Sequence, residues 1–293
     1  MPKLLVTGAS GFLGWNLCQM AAPDWEVYGV YHVRSLTIPG TTLHQADLTN
    51  PLDLAMLFQT IQPDAVVHLA AESSPNRCQE QPEDSHRMNV VVSRELAQRC
   101  ADAEIPFAFA SSDMVFDGLN PPYREDAPPS PVNLYGEQKA LAESEILACY
   151  PKAAVCRMPL MFGAAPPTAQ SFLQPFLQTL RDGRVLNLFV DEVRTPVSGT
   201  TAAAGILLAL KTVHGLIHLG GKERISRYDF GKLMGDVFDL PTAGIKPSYQ
   251  RDVKMSAPRP PDVSLDSTKA FAMGYAPASV RQQLETLKYE LTA

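Results

Sequence analysis

Residues 3–14 read KLLVTGASGFLG: an apolar run meets glycines at 8, 11 and 14 and passes straight into a helical pattern. Few folds accept that order, because the chain must reverse within a few residues and pack the new helix back on the strand. Lacking a Cβ, Gly8 and Gly11 allow a tight turn and a close approach to a pyrophosphate. Gly14 lets the helix sit close, its N-terminal N–H groups aimed at the anion. The spacing is G-x-x-G-x-x-G rather than G-x-G-x-x-G, and Ser10, Phe12 and Leu13 share the same cradle.

The first half repeats this alternation. Segments 3–7, 26–32, 42–46, 65–70, 107–111 and 154–158 read as strands, and 14–20, 51–61, 86–103 and 133–148 as helices. The pattern predicts a doubly wound parallel α/β sheet covered on both faces. Residues 1–162 form the dinucleotide-binding domain in this reading. Residues 163–293 form mainly a smaller substrate-binding lobe, with some segments returning to the sheet. Helices at 172–181 and 200–210 and a strand at 215–219 are expected there, and proline-rich SAPRPPD (256–262) is a loop crossing a surface or rimming a site.

A chain of 293 residues, 45% hydrophobic, can bury a large core. Its 25 basic against 31 acidic side chains give a net charge of −6, which argues against nucleic acid as a partner. The five cysteines, at 18, 78, 100, 149 and 156, form no C-x-x-C pair and no metal-ligand spacing, as expected of thiols in a reducing cytoplasm. The apolar run 202–210 falls far short of the ~20 residues a bilayer needs, and no signal-peptide core precedes Gly8. A cytoplasmic protein without membrane contact is expected.

An NAD site would carry an acid at the end of the second strand to bind the ribose 2′-hydroxyl. Here EVYGVYH runs into Val33, Arg34 and Ser35, which suits a 2′-phosphate, so NADP is expected over NAD, with Arg34 otherwise a solvated surface side chain. Asp47 and Leu48 either meet the adenine or signal a helix start. Ala70 and Ala71 in HLAAES leave room for a cofactor. Asn89 either holds a water beside the catalytic lysine or is structural, and His68, on an apolar strand, is a core histidine.

Tyr135 and Lys139 stand four apart in NLYGEQKALAE, on one helical face. An ammonium beside a phenol is expected to lower the tyrosine pKa and make it a proton donor or acceptor, while the lysine also bonds the cofactor ribose. Tyr228 and Lys232 share the spacing. Only Tyr135 follows a strand ending in a hydroxyl, Ser112 of FAFASSDMVFDG, that can hold the same substrate oxygen.

TGASGFLG, HLAAES, ASSDMVFDG, YGEQK and CRMPLMFG occur in the order of an extended short-chain dehydrogenase/reductase, and the resemblance spans nearly the whole chain. SSDMVFDG, PVNLYGEQK, RTPVSG and APRPPDVSLDSTK most resemble the dTDP-4-dehydrorhamnose reductases and the methionine adenosyltransferase β subunits. The resemblance implies a Rossmann domain, a sugar-nucleotide lobe and a catalytic trio of Ser112, Tyr135 and Lys139. It further implies hydride transfer from NADPH to the C4 ketone of a nucleotide-linked deoxysugar. Asp113 and Met114 follow the serine where dehydratases carry acids, and the family's tyrosine and tryptophan are replaced by Met114 and Leu160. Arg157, Arg194 and Arg259 either pair with a diphosphate or tie loops to carboxylates. A homodimer is common in the family. Two other readings stay open: a non-catalytic NADP-binding regulatory subunit, and a sugar-nucleotide epimerase holding NAD.

Overall fold

Strands buried on both faces need mainly apolar sequence, and KLLVT and AVCRM supply it, with Arg157 the one charge buried among them. A computed structural model of the protein describes residues 1–292. Its main sheet has seven strands, all parallel. These are β1 (Lys3–Thr7), β2 (Glu26–Tyr31), β3 (Thr41–Gln45), β4 (Ala65–His68), β5 (Phe107–Ser112), β6 (Ala154–Met158) and a last strand, Gly215–His218. The spatial order is β3-β2-β1-β4-β5-β6 followed by the Gly215–His218 strand. The order reverses beside β1, at the switch point where open α/β sheets bind ligands.

Helices α1 (Phe12–Ala21) and α2 (Pro51–Ile61) follow β1 and β3. Asn50 caps α2 by accepting from the Leu52 amide, and Pro51 occupies its first turn. The segment expected as one helix over 86–103 is divided into Pro82–His86, a π-helical turn over Arg87–Val91, and Val92–Asp102. The widened turn accompanies an inward Asn89, fully buried and bonded to a neighbouring loop.

Helix Gly199–Thr212 packs on α1, its small residues Ala202, Ala203 and Ala209 buried in one core with Leu13, Leu17 and Ala21. The Gly215–His218 strand pairs with β6. A second core gathers Phe162 of the short strand Met161–Phe162, Leu177, Phe230, Met234 and Leu284 of helices Leu173–Arg181, Arg227–Val237 and Val280–Thr292, and Leu188 of a small parallel sheet of Leu186–Phe189 with Ile245–Ser248. Among the described residues all five cysteines are free thiols, and no helix is long and apolar enough to cross a membrane.

Candidate active site

The carboxyl ends of the central strands open on a cavity of about 660 Å³, within the range of small-molecule sites. The glycine turn from Gly8 to Gly14 forms one wall. Ala110, Ser111, Tyr135 and Lys139 face it, and Leu160, Met161, Gln170, Ser171 and Phe172, from the chain after β6, close it. Gly8 has φ +71°, and a Cβ there would lie 2.8 Å from the Ala70 amide nitrogen, so only glycine lets β1 turn against the end of β4. Helix α1 begins at Gly11 with no side-chain cap and no acid in its first turn. Its orphan N–H groups and positive dipole end remain available to an anion. A dinucleotide pyrophosphate therefore fits this turn by charge as well as by space.

The end of β4 is held from below. Thr7 Oγ1 accepts from the Leu69 and Ala70 amides at 3.1 and 3.2 Å and pairs with His68 Nδ1 at 2.7 Å. With its lone pairs so engaged, Thr7 donates its own proton to Nδ1, leaving Nε2–H to donate to Ser93 Oγ at 2.9 Å. The neutral imidazole agrees with burial, which pushes His68 down to about 3 with a smaller push from Lys139.

Opposite, the helix Leu134–Cys149 starts where Asn133 accepts from the Gly136 amide at 3.0 Å. A Cβ on Gly136 would lie 2.1 Å from the Met114 carbonyl oxygen, so this glycine lets the helix press on the turn that follows Ser112. Tyr135 is 8% exposed, and Ser112, whose hydroxyl donates to Asp113 Oδ1 at 3.2 Å and accepts from the Met114 amide at 3.1 Å, lies near enough to act on its phenol. Burial raises its phenol above the ordinary range, Ser112 opposes, and Asp113, Cys78 and Glu72 add to the rise. The expected lowering by Lys139 is not what this arrangement gives. The Lys139 Nζ instead donates to the Ala110 carbonyl at 2.9 Å and lies 4.5 Å from the Phe109 ring centre. Burial brings Lys139 down to about 8 against the pull of Glu143. At neutral pH the pair is a protonated phenol beside an ammonium. Burial also raises Asp113 to about 6, opposed chiefly by Arg194.

The RmlD substrate binding domain model matches residues 2–292. The chain belongs to that family. Methionine adenosyltransferase 2 subunit beta of Xenopus laevis is 31% identical over 283 residues, covering 93% of this chain and 82% of that protein. A protein of Haloferax volcanii named "Probable low-salt glycan biosynthesis reductase" is 31% identical over 266 residues, covering 89% and 88%. The dTDP-4-dehydrorhamnose reductase of Bacillus anthracis, solved in complex with NADP, superposes with a TM-score of 0.88 at 19% identity over 99% of both chains. The shared architecture is the Rossmann fold that the order of strands and glycines predicts.

Several residues singled out in the sequence of this RmlD-family chain lie elsewhere. Arg157 is no diphosphate ligand: 1% exposed, it binds Glu143 at 2.7 to 3.2 Å and His218 at 3.3 Å beneath the sheet's end. Arg194 is equally buried, 3.5 Å from Asp113 and 3.6 Å from Glu192, and donates to the Val193 and Pro260 carbonyls. Arg259 donates to Ala257 O and Asn76 Oδ1. Asn89 spends its amide on Glu72 and Gln138, so it is a structural staple rather than a water carrier. Asp47 closes a turn on Thr49, while its neighbour Leu48 lines the cavity. Arg34 is exposed and donates to the Thr168 carbonyl at 2.8 Å, in the loop whose Thr168 hydroxyl reaches Ser10 O. Lys232 donates to Thr242 O and does not join the cavity lining.

Sequence reading passed over Glu143, one helical turn beyond Lys139, although the i, i+4 spacing was there to find. It also missed Glu72, whose charge acts on Tyr135, and the cavity-closing segment Gln170 to Phe172, which only the tertiary fold brings to the site. Among the described residues no group of acids, histidines and cysteines is arranged to hold a metal ion.

Proposed function

We propose that this protein is an NADPH-dependent reductase of a 4-keto nucleotide sugar or a related polar ketone. The observation that carries the reading is that Tyr135 and Lys139 line one cavity opposite an uncapped, acid-free glycine turn, with Ser112 buried behind Tyr135 at the end of β5. The turn from Gly8 to Gly14 would hold the pyrophosphate, Leu48, Ala70 and Ala71 would flank the adenosine half, and Lys139 would bond the ribose. When bound, the reduced nicotinamide supplies the hydride.

This chain's residues handle the proton. Burial keeps Tyr135 protonated, so its Oη holds a proton to give to the substrate oxygen, and the Ser112 hydroxyl orients that oxygen. The Lys139 ammonium then stabilises the phenolate left in a dry site. Residues 163–293 supply most of the substrate side, with Phe172 at its wall beside Leu160 from the end of the first domain. Preference for NADPH follows from the absence of an acid after β2 and from Arg34, whose five N–H donors exceed the one bond to Thr168.

A second reading has its own support: the likeness to the methionine adenosyltransferase β subunits over 93% of the chain favours a regulatory NADP-binding subunit. NADPH absorbance followed with dTDP-4-keto-6-deoxy-L-mannose separates the two. Oxidation that Tyr135→Phe abolishes supports the reductase. NADPH binding without consumption, with this and other ketones, supports the regulatory subunit, and protein purified with bound NAD+ would point to an epimerase.

A further inference from the structure

We propose that Glu143, clamped by Arg157, is a positioning residue that fixes the end of β5 through Ser111, and with it the adjoining Ala110 carbonyl that receives the Lys139 ammonium. Its effect on turnover rests on the reductase reading, but its effect on Lys139 does not.

The geometry is a buried chain of charge ending at the cavity wall. Glu143 follows Lys139 by one helical turn, and both are 3% exposed. Three groups converge on the Glu143 carboxylate: Ser111 Oγ donates at 2.5 Å, Arg157 Nε at 3.0 and 3.2 Å, and Arg157 Nη2 at 2.7 Å. Ser111 lines the cavity and immediately precedes Ser112. A single carboxylate therefore ties the catalytic helix to β5 through Ser111 and to β6 through Arg157.

Arg157 is itself held in one orientation. His218 Nδ1 faces the Tyr123 carbonyl at 3.1 Å and so carries the proton, leaving Nε2 to accept from Arg157 Nη1 at 3.3 Å. Burial pushes His218 down to about 3, so it remains a neutral acceptor. The guanidinium thus faces the Glu143 carboxylate with two donors in a fixed fork.

The groups acting on Lys139 are few. Glu143, from its own helix, favours the ammonium. Cys78, from helix Pro75–Glu80, carries a thiol raised by burial, and His68 of β4 is neutral. Glu143 is the one ionised group on this roster that supports the charge.

The test reads Lys139 directly, without requiring turnover. The pH dependence of its acetylation by acetic anhydride, in which the free amine forms the amide and acetate leaves, measured by peptide mass spectrometry, gives its midpoint of deprotonation in the wild type and in Glu143→Gln/Arg157→Met. The double variant removes both charges, leaving neither unpaired in the core. Its midpoint is expected to fall by about one pH unit, which cuts the protonated fraction near pH 8 about fivefold. Glu143→Asp keeps the charge but shortens its reach, so an intermediate midpoint is expected, and this variant decides the matter if the double variant does not fold. The alkaline limb of kcat should move with the acylation midpoint. Wild-type midpoints in the variants, with only Tm changed, would overturn the proposal and leave a purely structural pair. A shifted midpoint in a protein that reduces no ketone would uphold it while removing the reductase reading.

Discussion

Replacing Gly14 by alanine sets two effects against each other. In a helix interior alanine is favoured over glycine by up to about 1 kcal/mol. Yet the new Cβ would stand 2.2 Å from the Gly8 carbonyl oxygen, 2.7 Å from the Gly8 carbonyl carbon and 2.8 Å from Ala9 Cα. All three are backbone atoms, so no side chain can swing away. Overpacking of this kind costs about 1–3 kcal/mol, and the clash here belongs at the upper end, leaving a net loss of about 2 kcal/mol. For a chain of 293 residues that corresponds to a fall in Tm of roughly 3 °C. The relief must come from moving α1 or the Gly8 peptide by about 1 Å, a displacement that costs about a hundredfold where a ligand is positioned. Gly11→Ala is the comparison, because its Cβ would meet only the Gly8 oxygen, at 3.2 Å, and needs a shift of a few tenths of an ångström. Thermal unfolding and fluorescence titration with NADPH measure both effects. A Gly14→Ala protein as stable as the wild type with unchanged affinity, or one more stable than Gly11→Ala, would refute the reasoning.

Other outcomes follow from buried charge. His68 titrates at about 3 when folded against an ordinary 6.5, so the folded state binds fewer protons and loses stability as pH falls below 6.5. Between pH 7 and 5 that contribution is on the order of 2 kcal/mol, and His68→Gln should lose that share of the acid sensitivity in urea denaturation at the two pH values. Equal acid sensitivity would mean His68 is not buried neutral. Lys139 falls to about 8, so NADPH affinity should decline above that pH as its ammonium deprotonates, and a flat affinity from pH 7 to 9.5 would remove Lys139 from the ribose. Arg34→Met should weaken NADPH binding about tenfold to a hundredfold and leave NADH unchanged. A parallel loss of both cofactors would instead assign Arg34 to the Thr168 contact that ties the cavity-closing loop to the glycine turn.

The fold was legible because its signals are local. KLLVT followed by three glycines carries its own strand, turn and helix, and β1 and β6 lie where their apolar runs predict. The helix expected over 86–103 shows where local signals stop. Its apolar pattern is helical throughout, but Asn89 is drawn inward to Glu72, seventeen residues earlier in the chain, and to Gln138. The turn widens at that point, and periodicity holds no record of such a partner.

The arginines make the same point through energy. Arg157, Arg194 and Arg259 are equally plausible anion ligands by residue type, since a guanidinium suits a diphosphate and a carboxylate alike. Burial separates them. Where a guanidinium is 1% exposed, an uncompensated charge costs several kcal/mol, so a fixed internal carboxylate must answer it whether or not a ligand is present. Glu143 meets that need for Arg157, as Asp113 and Glu192 do for Arg194. Arg259 is only half-buried, and its bonds go to a carbonyl and an amide oxygen rather than to a carboxylate. Its charge therefore stays open to an incoming anion, and of the three it is the one whose replacement by methionine should weaken the binding of a nucleotide diphosphate more than it lowers Tm.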